Sequence, residues 1–385
     1  MVRLLAICNK AYKFRLFPNE EQKVYFSKTF GCCRKIWNLM LNDKINHYKA
    51  TGKMLQTTPA QYKDAYPYLK EVDSLALANV QINLQNAYKN FFRDKKIGFP
   101  KFKSAKRSSM SYTTNNNNHN KTPSIYIVDN KHIKLPKIGS VRMKMHRTPP
   151  SNYVLKSATI SKESDGKYYV SILYEYESNI TPVSVLSDNA IGLDYKSDGL
   201  YCDNNGNIAS HHKYYRESQN KLSKAQRKLS RKVGSHKNEV KSNNYKKQQL
   251  KVAKIHKKIA NQRLDFLHKL STEIANQFDI VCVENLNMKA ISNKGFHNGK
   301  ATLDNGYGLF LNMLEYKLKE RGKYLVRVDK WYPSSQICSC CGNRQKLELS
   351  ERTYKCVCGL VIDRDKNAAT NILKEGLRIL RENIV

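Results

Sequence analysis

The sequence has 385 residues, with 68 Lys and Arg against 32 Asp and Glu, and a formal net charge of +36 at pH 7. This length allows about two or three domains, and 40% hydrophobic residues with 24 tyrosines exclude a wholly disordered chain. No uncharged apolar run reaches the ~18 residues of a membrane span, and the apolar stretch at the N-terminus is too short for a signal peptide. Because so basic a folded chain needs a polyanionic partner, we expect nucleic acid rather than a membrane surface.

The first half of the chain combines strand and helix patterns. Residues 10–17 alternate between apolar and basic side chains, which is the period of a strand. Asn19 and Gln22 have the spacing of a capping box that begins a helix, and a second helix is expected after a cap at Ser74. From 124 to 178 the sequence returns to short alternating strands separated by turn residues. These patterns predict a small β-barrel with a helical module inserted after its first strand.

The second half has the pattern of an α/β domain. Three short strands begin near residue 190, and a basic helical region over 214–276 follows, interrupted at Gly234. The buried strand FDIVCVENLN, a helix that ends at Gly322, a further strand and a last helix complete the order. Three strands followed by alternating helices and strands is the element order of an RNase H-like fold.

Positive charge is concentrated in two regions. Residues 211–270 contain 18 Lys and Arg but 3 Asp and Glu, and basic residues are also frequent over 101–147. A solvated helix face usually mixes both signs, so this excess predicts contacts with phosphate groups. Four aromatic residues lie among basic ones, namely Tyr12, Phe99, Phe102 and Tyr112. Each has two interpretations, stacking on a nucleobase or burial in the core, and burial is favoured for each.

The most specific local motif is a double cysteine pair near the C-terminus. Two pairs, each followed by glycine and separated by 14 residues, are formed by Cys338, Cys341, Cys356 and Cys358. Four thiolates satisfy the tetrahedral preference of Zn²⁺ with no open position, so the motif predicts a structural zinc site. Cys340 is a fifth candidate, but Cys341 is the one that precedes a glycine, as Cys358 does in the second pair. A glycine there lets the backbone turn towards the sulfur, which favours Cys341 over Cys340. The alternatives are a redox pair or a chance spacing.

Acidic residues lie where a metal-dependent nuclease of this fold needs them. Asp194 is within the apolar strand IGLDY, and Glu284 ends the apolar strand IVCVE. Asp363 and Asp365 begin the last helix, where Asp363 suits capping as well as catalysis. A carboxylate at the end of a core strand is costly unless it is paired or bound to a metal. Converging carboxylates therefore predict two Mg²⁺ ions that activate water and stabilise the leaving 3′-oxygen of a phosphodiester. For each acid alone, helix capping or a solvated strand end is the alternative.

Six segments of the sequence are, in chain order, YKFRLFPNEEQ, GFPKFKS, IGLDY, VENL, SSQICSCCG and CGLVIDRDKNAATNIL. Together they resemble the TnpB family, RNA-guided DNA nucleases encoded by insertion sequences and related to the type V CRISPR effectors. They extend from about residue 11 to residue 373, nearly the whole chain. The resemblance implies an α+β multidomain protein. In it a wedge β-barrel with a helical recognition insert precedes an RNase H-like (RuvC) α/β domain that contains a zinc ribbon.

The pattern and the resemblance together give six expected segments. They are the first barrel strand (1–18), the recognition insert (19–105), the remainder of the barrel (106–185), the nuclease domain (186–330), the zinc ribbon (331–361) and the last helix with the C-terminus (362–385).

The resemblance also implies roles for single residues and for partners. Asp194, Glu284 and Asp365 match the three RuvC acids, which would bind Mg²⁺ or Mn²⁺, and Asn367 would orient Asp365 or the phosphate. The implied activity is metal-dependent cleavage of double-stranded DNA next to a short flanking motif, at a site chosen by pairing with a guide RNA. The expected location is the prokaryotic cytoplasm, at the nucleoid.

Two alternatives share parts of this pattern. A nuclease-inactive relative that binds guided sites and represses transcription would lack one or more acids, whereas all three are present here. A transposase that joins DNA ends would keep acids, but integrases commonly place them differently and lack the embedded zinc ribbon. The sequence therefore favours an active RNA-guided endonuclease.

Overall fold

A computed structural model describes residues 6–117, 123–210, 213–233, 241–293, 304–348 and 351–382. The chain divides into two compact units, of which the first ends at Ser178 and the second begins at Asn179. Within the described ranges, no helix combines the length and the apolar composition of a membrane span.

The first unit contains one antiparallel sheet of seven strands. In chain order they are β1 (Ala6–Leu16), β2 (Met110–Asn115), β3 (Tyr126–Asp129), β4 (His132–Leu135), β5 (Gly139–Lys144), β6 (Val154–Lys162) and β7 (Tyr168–Ser178). Their order across the sheet is β2-β6-β7-β1-β5-β4-β3, so the first strand lies in the middle. β1 pairs with β7 from Ala6 opposite Ser178 to Leu16 opposite Tyr168.

Except in β3, the strands of this sheet have the period-2 alternation that the sequence predicts. In β5, Val141 and Met143 are buried, whereas Arg142 and Lys144 point to solvent. One face of the sheet therefore contributes to an apolar core and the other carries charge.

Two helices follow β1 in the chain, as predicted: α1 (Glu20–Thr51) and α2 (Ser74–Arg93). The capping box predicted for α1 is present. Oδ1 of Asn19 accepts a hydrogen bond from the backbone N of Gln22 at 2.8 Å, and the Gln22 side chain accepts one from the backbone N of Asn19 at 3.1 Å. The start of α1 is thus specified locally, by side chains three residues apart.

The second helix begins one residue earlier than predicted. Its cap is Asp73 and not Ser74, since Oδ1 of Asp73 accepts a hydrogen bond from the backbone N of Leu75 at 3.1 Å. The other carboxylate oxygen of Asp73 accepts a hydrogen bond from the Thr114 hydroxyl of β2. The tertiary contact with the sheet holds the aspartate in the capping position.

The second unit contains a mixed sheet of five strands. They are β8 (Ala190–Tyr195), β9 (Tyr201–Asp203), β10 (Ile208–Ala209), β11 (Ile280–Glu284) and β12 (Tyr324–Val328), in the order β10-β9-β8-β11-β12. β8, β11 and β12 are parallel, and β9 and β10 are antiparallel to their neighbours. The carboxyl ends of the three parallel strands therefore lie at one edge of the sheet.

The helices of this unit complete the predicted element order. They are α3 (Tyr214–Ser230), α4 (Asn243–Gln277), α5 (Met288–Ile291), α6 (Tyr307–Lys319) and α7 (Arg364–Glu382). The break predicted at Gly234 lies outside the described residues. A small hairpin, β13 (Thr353–Lys355) with β14 (Val361–Asp363), leads into α7.

Side-chain alternation divides the sheet between two apolar clusters. Val281 and Val283 of β11 pack with residues of α4 and α6, including Phe310. Ile280 and Cys282 pack with α7 on the other face. The sheet thus lies between helices on both faces, as its buried parallel strands require.

Candidate functional site

The four cysteines predicted to bind zinc lie together. Their sulfur atoms are all within 4.8 Å of one another, and Cys340 is not among them. The Sγ atoms of Cys338 and Cys358 are 3.7 Å apart, and those of Cys341 and Cys356 are 3.6 Å apart. A tetrahedron with Zn–S bonds of ~2.3 Å has sulfur–sulfur edges of about 3.8 Å. The sulfur positions therefore fit a tetrahedral zinc ion.

Both cysteine pairs lie in turns closed by the glycines that the sequence singled out. Gly342 and Gly359 have φ angles of +78° and +92°, in the left-handed region that favours glycine. The backbone N of Gly342 donates to the Cys338 carbonyl, and that of Gly359 donates to the Cys356 carbonyl, each at 3.0 Å. In each pair, a backbone hydrogen bond from the glycine thus closes the turn that carries the sulfurs, over five residues in the first pair and four in the second.

Two asparagines of α7 hold the first cysteine turn. The Asn367 side chain donates to the Ile337 carbonyl at 2.7 Å and accepts from the backbone N of Ser339 at 2.9 Å. One helical turn later, Asn371 also donates to the Ile337 carbonyl, at 2.6 Å. Both polar atoms of the Asn367 amide are therefore engaged with this turn. Asn367 supports the cysteine turn, in place of the expected role of orienting Asp365 or the phosphate.

Asp194 and Glu284 lie side by side at the carboxyl edge of the sheet. β8 and β11 are parallel and in register up to Leu193 opposite Val283, so the next residues of the two strands are these acids. Because side chains alternate along a strand, Asp194 points to the same face as Gly192, and Glu284 to the same face as Cys282. That face is the one covered by α7.

Close packing of α7 on the two strands fixes where Asp365 lies. A Cβ atom at Gly192 would be 2.2 Å from the Ala369 carbonyl oxygen, and one at Gly376 would be 2.4 Å from Sγ of Cys282. At Gly192 only glycine permits the approach of the α7 backbone, and at Gly376 the missing side chain leaves room for Cys282. Asp365 is one turn before Ala369, in the first turn of α7, and so faces the sheet edge that carries the other two acids.

The pKa values of Asp194 and Glu284 are both raised above the ordinary carboxyl range. Burial raises the pKa of Asp194 well above the ordinary carboxyl value, and the negative charges of Asp365 and Glu284 raise it further, while Arg364 and Lys196 lower it. Burial raises the pKa of Glu284 to about 7. Such shifts mark carboxylates that a bound cation would stabilise in the ionised form.

Two cations of the chain contact Asp365. Lys196 donates a hydrogen bond from Nζ to Oδ2, and Nη2 of Arg364 lies 3.6 Å from Oδ1. Lys196 has no role among the residues predicted from the sequence. The available signal was its spacing, since Lys196 is two residues after Asp194 and alternation directs both side chains to the α7 face.

Asp363 takes the capping role that was its alternative in the sequence. Its exposed side chain accepts hydrogen bonds through Oδ1 from the backbone N of Asp365 at 2.9 Å and of Lys366 at 3.0 Å. It satisfies donors at the start of α7 that the helix cannot satisfy itself. In this structure Asp363 positions Asp365 by ordering the helix start.

The three acids are more widely spaced than the cysteines. In the part of the chain that the structure describes, the cysteines are the single group of three or more possible ligands with all ligand atoms within 4.8 Å. The acids form an open edge with Lys196 and Arg364 beside it, rather than a closed cage.

The basic region forms an open groove between α3 and α4. Five lysines line it, namely Lys221, Lys224, Lys228, Lys251 and Lys254. A hydrogen bond joins the two helices at the groove: the side-chain amide of Gln248 in α4 donates to the Ala225 carbonyl in α3 at 2.9 Å. A groove with one sign of charge suits the phosphates of a nucleic acid.

The four candidate stacking residues divide into two groups. Tyr12 and Tyr112 are buried in the core, with 8% and 6% of their surface exposed, as favoured from the sequence. Phe99 and Phe102 are 44% and 56% exposed, so the expected burial is wrong for both.

Three family models match the chain. A model described as "Cas12f1-like, TNB domain" matches residues 307–372, and one described as "Probable transposase" matches residues 171–294. A third, described as "Helix-turn-helix domain", matches residues 7–53, where the structure has β1 and the single helix α1.

Relatives match the chain over nearly its whole length. "Putative RNA-guided DNA endonuclease" of Streptomyces pristinaespiralis is 33% identical over 377 residues, which cover 96% of this chain and 89% of the relative. "Putative RNA-guided DNA endonuclease InsQ" of Escherichia coli (strain K12) is 32% identical over an alignment of 397 positions, which covers 96% of this chain and 93% of the relative.

A solved structure supports the fold. The chain in the "Cryo-EM structure of the Cas12f1-sgRNA-target DNA complex" has a TM-score of 0.63 and 13% identity, over 95% of this chain and 98% of that chain. At this identity the likeness concerns the fold alone.

Proposed function

The chain belongs to the TnpB family, and we propose that it is an RNA-guided, metal-dependent endonuclease that cleaves double-stranded DNA next to a short flanking motif. The observation that carries this proposal is the convergence of Asp194, Glu284 and Asp365 at the sheet edge beneath α7. A nuclease-inactive repressor would have no need of three acids whose proximity is costly to the fold.

The residues at this edge fit divalent cations. Oxygen ligands suit Mg²⁺ or Mn²⁺, and the raised pKa of Asp194 arises from burial and from the two neighbouring carboxylates, which bound cations would offset. Bound there, Mg²⁺ would activate a water molecule and stabilise the leaving 3′-oxygen of a phosphodiester. Asp194, Glu284 and Asp365 are the residues that we propose to hold it.

Residues around the acids have supporting roles in this proposal. Lys196 and Arg364 orient Asp365 through its two oxygens and supply positive charge for a phosphate at the edge. Asp363 fixes the first turn of α7 through two backbone hydrogen bonds. Asn367 anchors the cysteine turn to the same helix.

We infer that the cysteine cluster is a structural zinc site within a zinc ribbon. All four ligand positions are cysteines and none is left for a substrate, which is typical of a structural ion. The hydrogen bonds from Asn367 and Asn371 make the ribbon a support for α7 and hence for Asp365.

The partners follow from the proposed activity. A guide RNA would select the site by pairing, and target double-stranded DNA would be the substrate. The lysine groove between α3 and α4 is our candidate for holding the backbone of the heteroduplex or of the guide. Because such a nuclease acts where the chromosome lies, we infer a cytoplasmic, nucleoid-associated location in a prokaryote.

We further propose the domain assignment expected from the sequence. The seven-stranded sheet of the first unit would be the wedge β-barrel (1–18 and 106–185), and its two helices the recognition insert (19–105). The second unit would hold the RuvC-like domain (186–330), the zinc ribbon (331–361) and the last helix (362–385). The division of the chain at Ser178 supports a boundary near residue 185.

The proposed function is tested by purifying the protein with its RNA, sequencing that RNA and measuring cleavage of a matching duplex. Wild-type protein is expected to cut in Mg²⁺ or Mn²⁺ and to stop in EDTA. Asp194→Ala and Glu284→Ala should abolish cutting and leave guided binding intact. The matched control is Asp188→Asn, an exposed acid just before the opposite end of β8, which should cut normally.

Three other results would contradict the proposal. Full-rate cleavage by the Asp194 or Glu284 variants would remove these residues from the mechanism. Guided binding without cleavage by the wild type would support a repressor. Joining of DNA ends in place of hydrolysis would support a strand-transfer enzyme.

A further inference from the structure

Trp331 lies just beyond the sheet edge that carries the acids, and its surface is 80% exposed. β12 ends at Val328, which is in register with Glu284 of β11. Neighbouring strands are ~4.8 Å apart, and three further residues span at most about 11 Å, so the Cα atoms of Trp331 and Glu284 are within about 16 Å. An extended single strand covers this distance in a few nucleotides.

The backbone at Trp331 is held by hydrogen bonds. Its backbone N donates to Oδ1 of Asp329 at 2.8 Å, and the backbone N of Tyr332 donates to the Asp329 carbonyl at 3.1 Å. The Tyr332 ring packs against the apolar cluster beneath α7. The indole is therefore exposed to solvent on a turn whose backbone is already ordered. Little conformational entropy of this turn is lost when a ligand binds.

One face of the indole is already next to a cation. Nζ of Lys330 lies 4.6 Å from the centroid of the Trp331 ring. A flat aromatic surface with an ammonium group beside it matches a nucleotide, whose base stacks and whose phosphate pairs with the cation. The chain has two tryptophans, and the other, Trp37, is buried in the first unit with 7% exposed.

We propose that Trp331 is a stacking platform for a base of single-stranded DNA next to the phosphodiester that the acids address. Trp331 is a positioning residue, since it stacks on a base and takes part in no bond change, and Lys330 pairs with a neighbouring phosphate. Every base has a face to stack, so the contact is independent of sequence. The inference rests on the proposed nuclease function, because it places the strand relative to that site.

Tryptophan fluorescence tests the stacking contact without any need for cleavage. Full-length protein is titrated with a short oligothymidylate, with Ca²⁺ in place of Mg²⁺, and binding is followed in parallel by anisotropy of a labelled oligonucleotide. The wild type is expected to lose emission on binding, and Trp331→Phe should bind with no change in the emission that remains from Trp37. Equal quenching in both proteins, binding without quenching in the wild type, or absence of binding would overturn the proposal.

Kinetics test whether the contact positions DNA for cleavage. With the co-purified guide RNA, Trp331→Ala is expected to raise the apparent KM for a matching single strand about 10-fold with a small effect on kcat, and Trp331→Phe to restore most of it. Tyr316→Ala is the control, since Tyr316 is 43% exposed on α6, over the opposite face of the sheet. An unchanged KM for Trp331→Ala, or no rescue by phenylalanine, would contradict the proposal.

The two proposals fail in distinguishable ways. If Asp194→Ala cleaves like the wild type, the nuclease site is wrong, and the fluorescence result still decides whether Trp331 stacks on DNA. If Asp194→Ala is inactive and Trp331→Phe shows the same quenching as the wild type, the nuclease site stands and the stacking contact is wrong.

Discussion

Lys196 donates a hydrogen bond from its ammonium group to Oδ2 of Asp365, and so joins the strand of Asp194 to the first turn of the last helix. Both side chains are largely buried, with 18% and 14% of their surface exposed. In the protein without divalent ions, this lysine offsets part of the repulsion among the three acids.

Removal of Lys196 should strengthen divalent binding. A positive charge beside the proposed ligands repels an incoming cation, so Lys196→Met should bind Mg²⁺ about 10-fold more tightly, whereas Lys196→Arg should resemble the wild type. Calorimetric titration of the purified protein with Mg²⁺ measures the change. Weaker Mg²⁺ binding by the methionine variant would contradict a role for Lys196 in offsetting the charge of Asp365.

The raised pKa of Glu284 predicts a pH dependence of stability. A carboxyl with its folded pKa raised from 4.5 to about 7 favours folding when protonated. Its contribution is fully present below pH 4.5 and is lost as the pH rises through about 7. Allowing for its partial exposure, the loss is about 2 kcal/mol. Urea unfolding in EDTA should show this decrease, and Glu284→Gln should lack it.

The affinity of the site for Mg²⁺ should change with pH in the direction opposite to that of the folding stability. Because the proposed metal site needs ionised Glu284, Mg²⁺ affinity should rise with pH and level off above about 7. Calorimetric titrations with Mg²⁺ at several pH values give the profile. An affinity that is constant across this range would remove Glu284 from the ligands.

Zinc content distinguishes Cys341 from its neighbour. Cys341→Ser should release the zinc and lower the melting temperature of the second unit, because three thiolates remain where four sulfurs fit a tetrahedron. Cys340→Ser is the matched control, since Cys340 is exposed and outside the cluster. Elemental analysis of both variants gives the answer, and equal zinc content in the two would contradict the assignment.

Close packing at Gly376 should make even a methyl group costly there. Gly376→Ala would place Cβ 2.4 Å from Sγ of Cys282, so we expect a loss of about 1–3 kcal/mol in the free energy of unfolding. The double variant with Cys282→Ala should recover part of it. Gly31→Ala serves as control, because a Cβ at Gly31 of α1 has nothing within 4 Å and alanine favours a helix. Urea unfolding measures all three.

The lysine groove predicts a change in salt dependence. Lys224→Gln with Lys251→Gln should weaken guide RNA binding and reduce the slope of log affinity against log salt by about 1.5, since each lost phosphate contact removes ~0.7–0.9. Lys269→Gln is the control on the same helix, because Nζ of Lys269 is already 2.7 Å from a carboxylate oxygen of Asp265. Equal slopes for wild type and groove variant would exclude the groove as a phosphate site.

Features specified by neighbours in the chain were predictable from the sequence. Asn19 and Gln22 interact three residues apart, and each second cysteine precedes its glycine, so local spacing was sufficient. The same holds for the strand positions of Asp194 and Glu284, which follow from apolar runs.

Features that depend on tertiary contacts were not predictable. The cap of α2 moved to Asp73 because Thr114, distant in the chain, holds its carboxylate. The fold places Lys196 where it donates a hydrogen bond to Asp365. It also places Asn367 where it accepts a hydrogen bond from the backbone N of Ser339 and so supports the cysteine turn. The exposure of Phe99 and Phe102 likewise depends on what the fold leaves uncovered.

Asn367 holds the cysteine turn two residues after Asp365 on the same helix, so the proposed zinc site and the proposed Mg²⁺ site both depend on α7. A thiol-reactive agent, such as Cd²⁺ or an alkylating reagent, would act on sulfurs that take no part in the proposed reaction. By disrupting the cysteine turn, it would destabilise the start of α7. On this account, DNA cutting would respond to the thiol and zinc status of the cell as well as to its supply of magnesium.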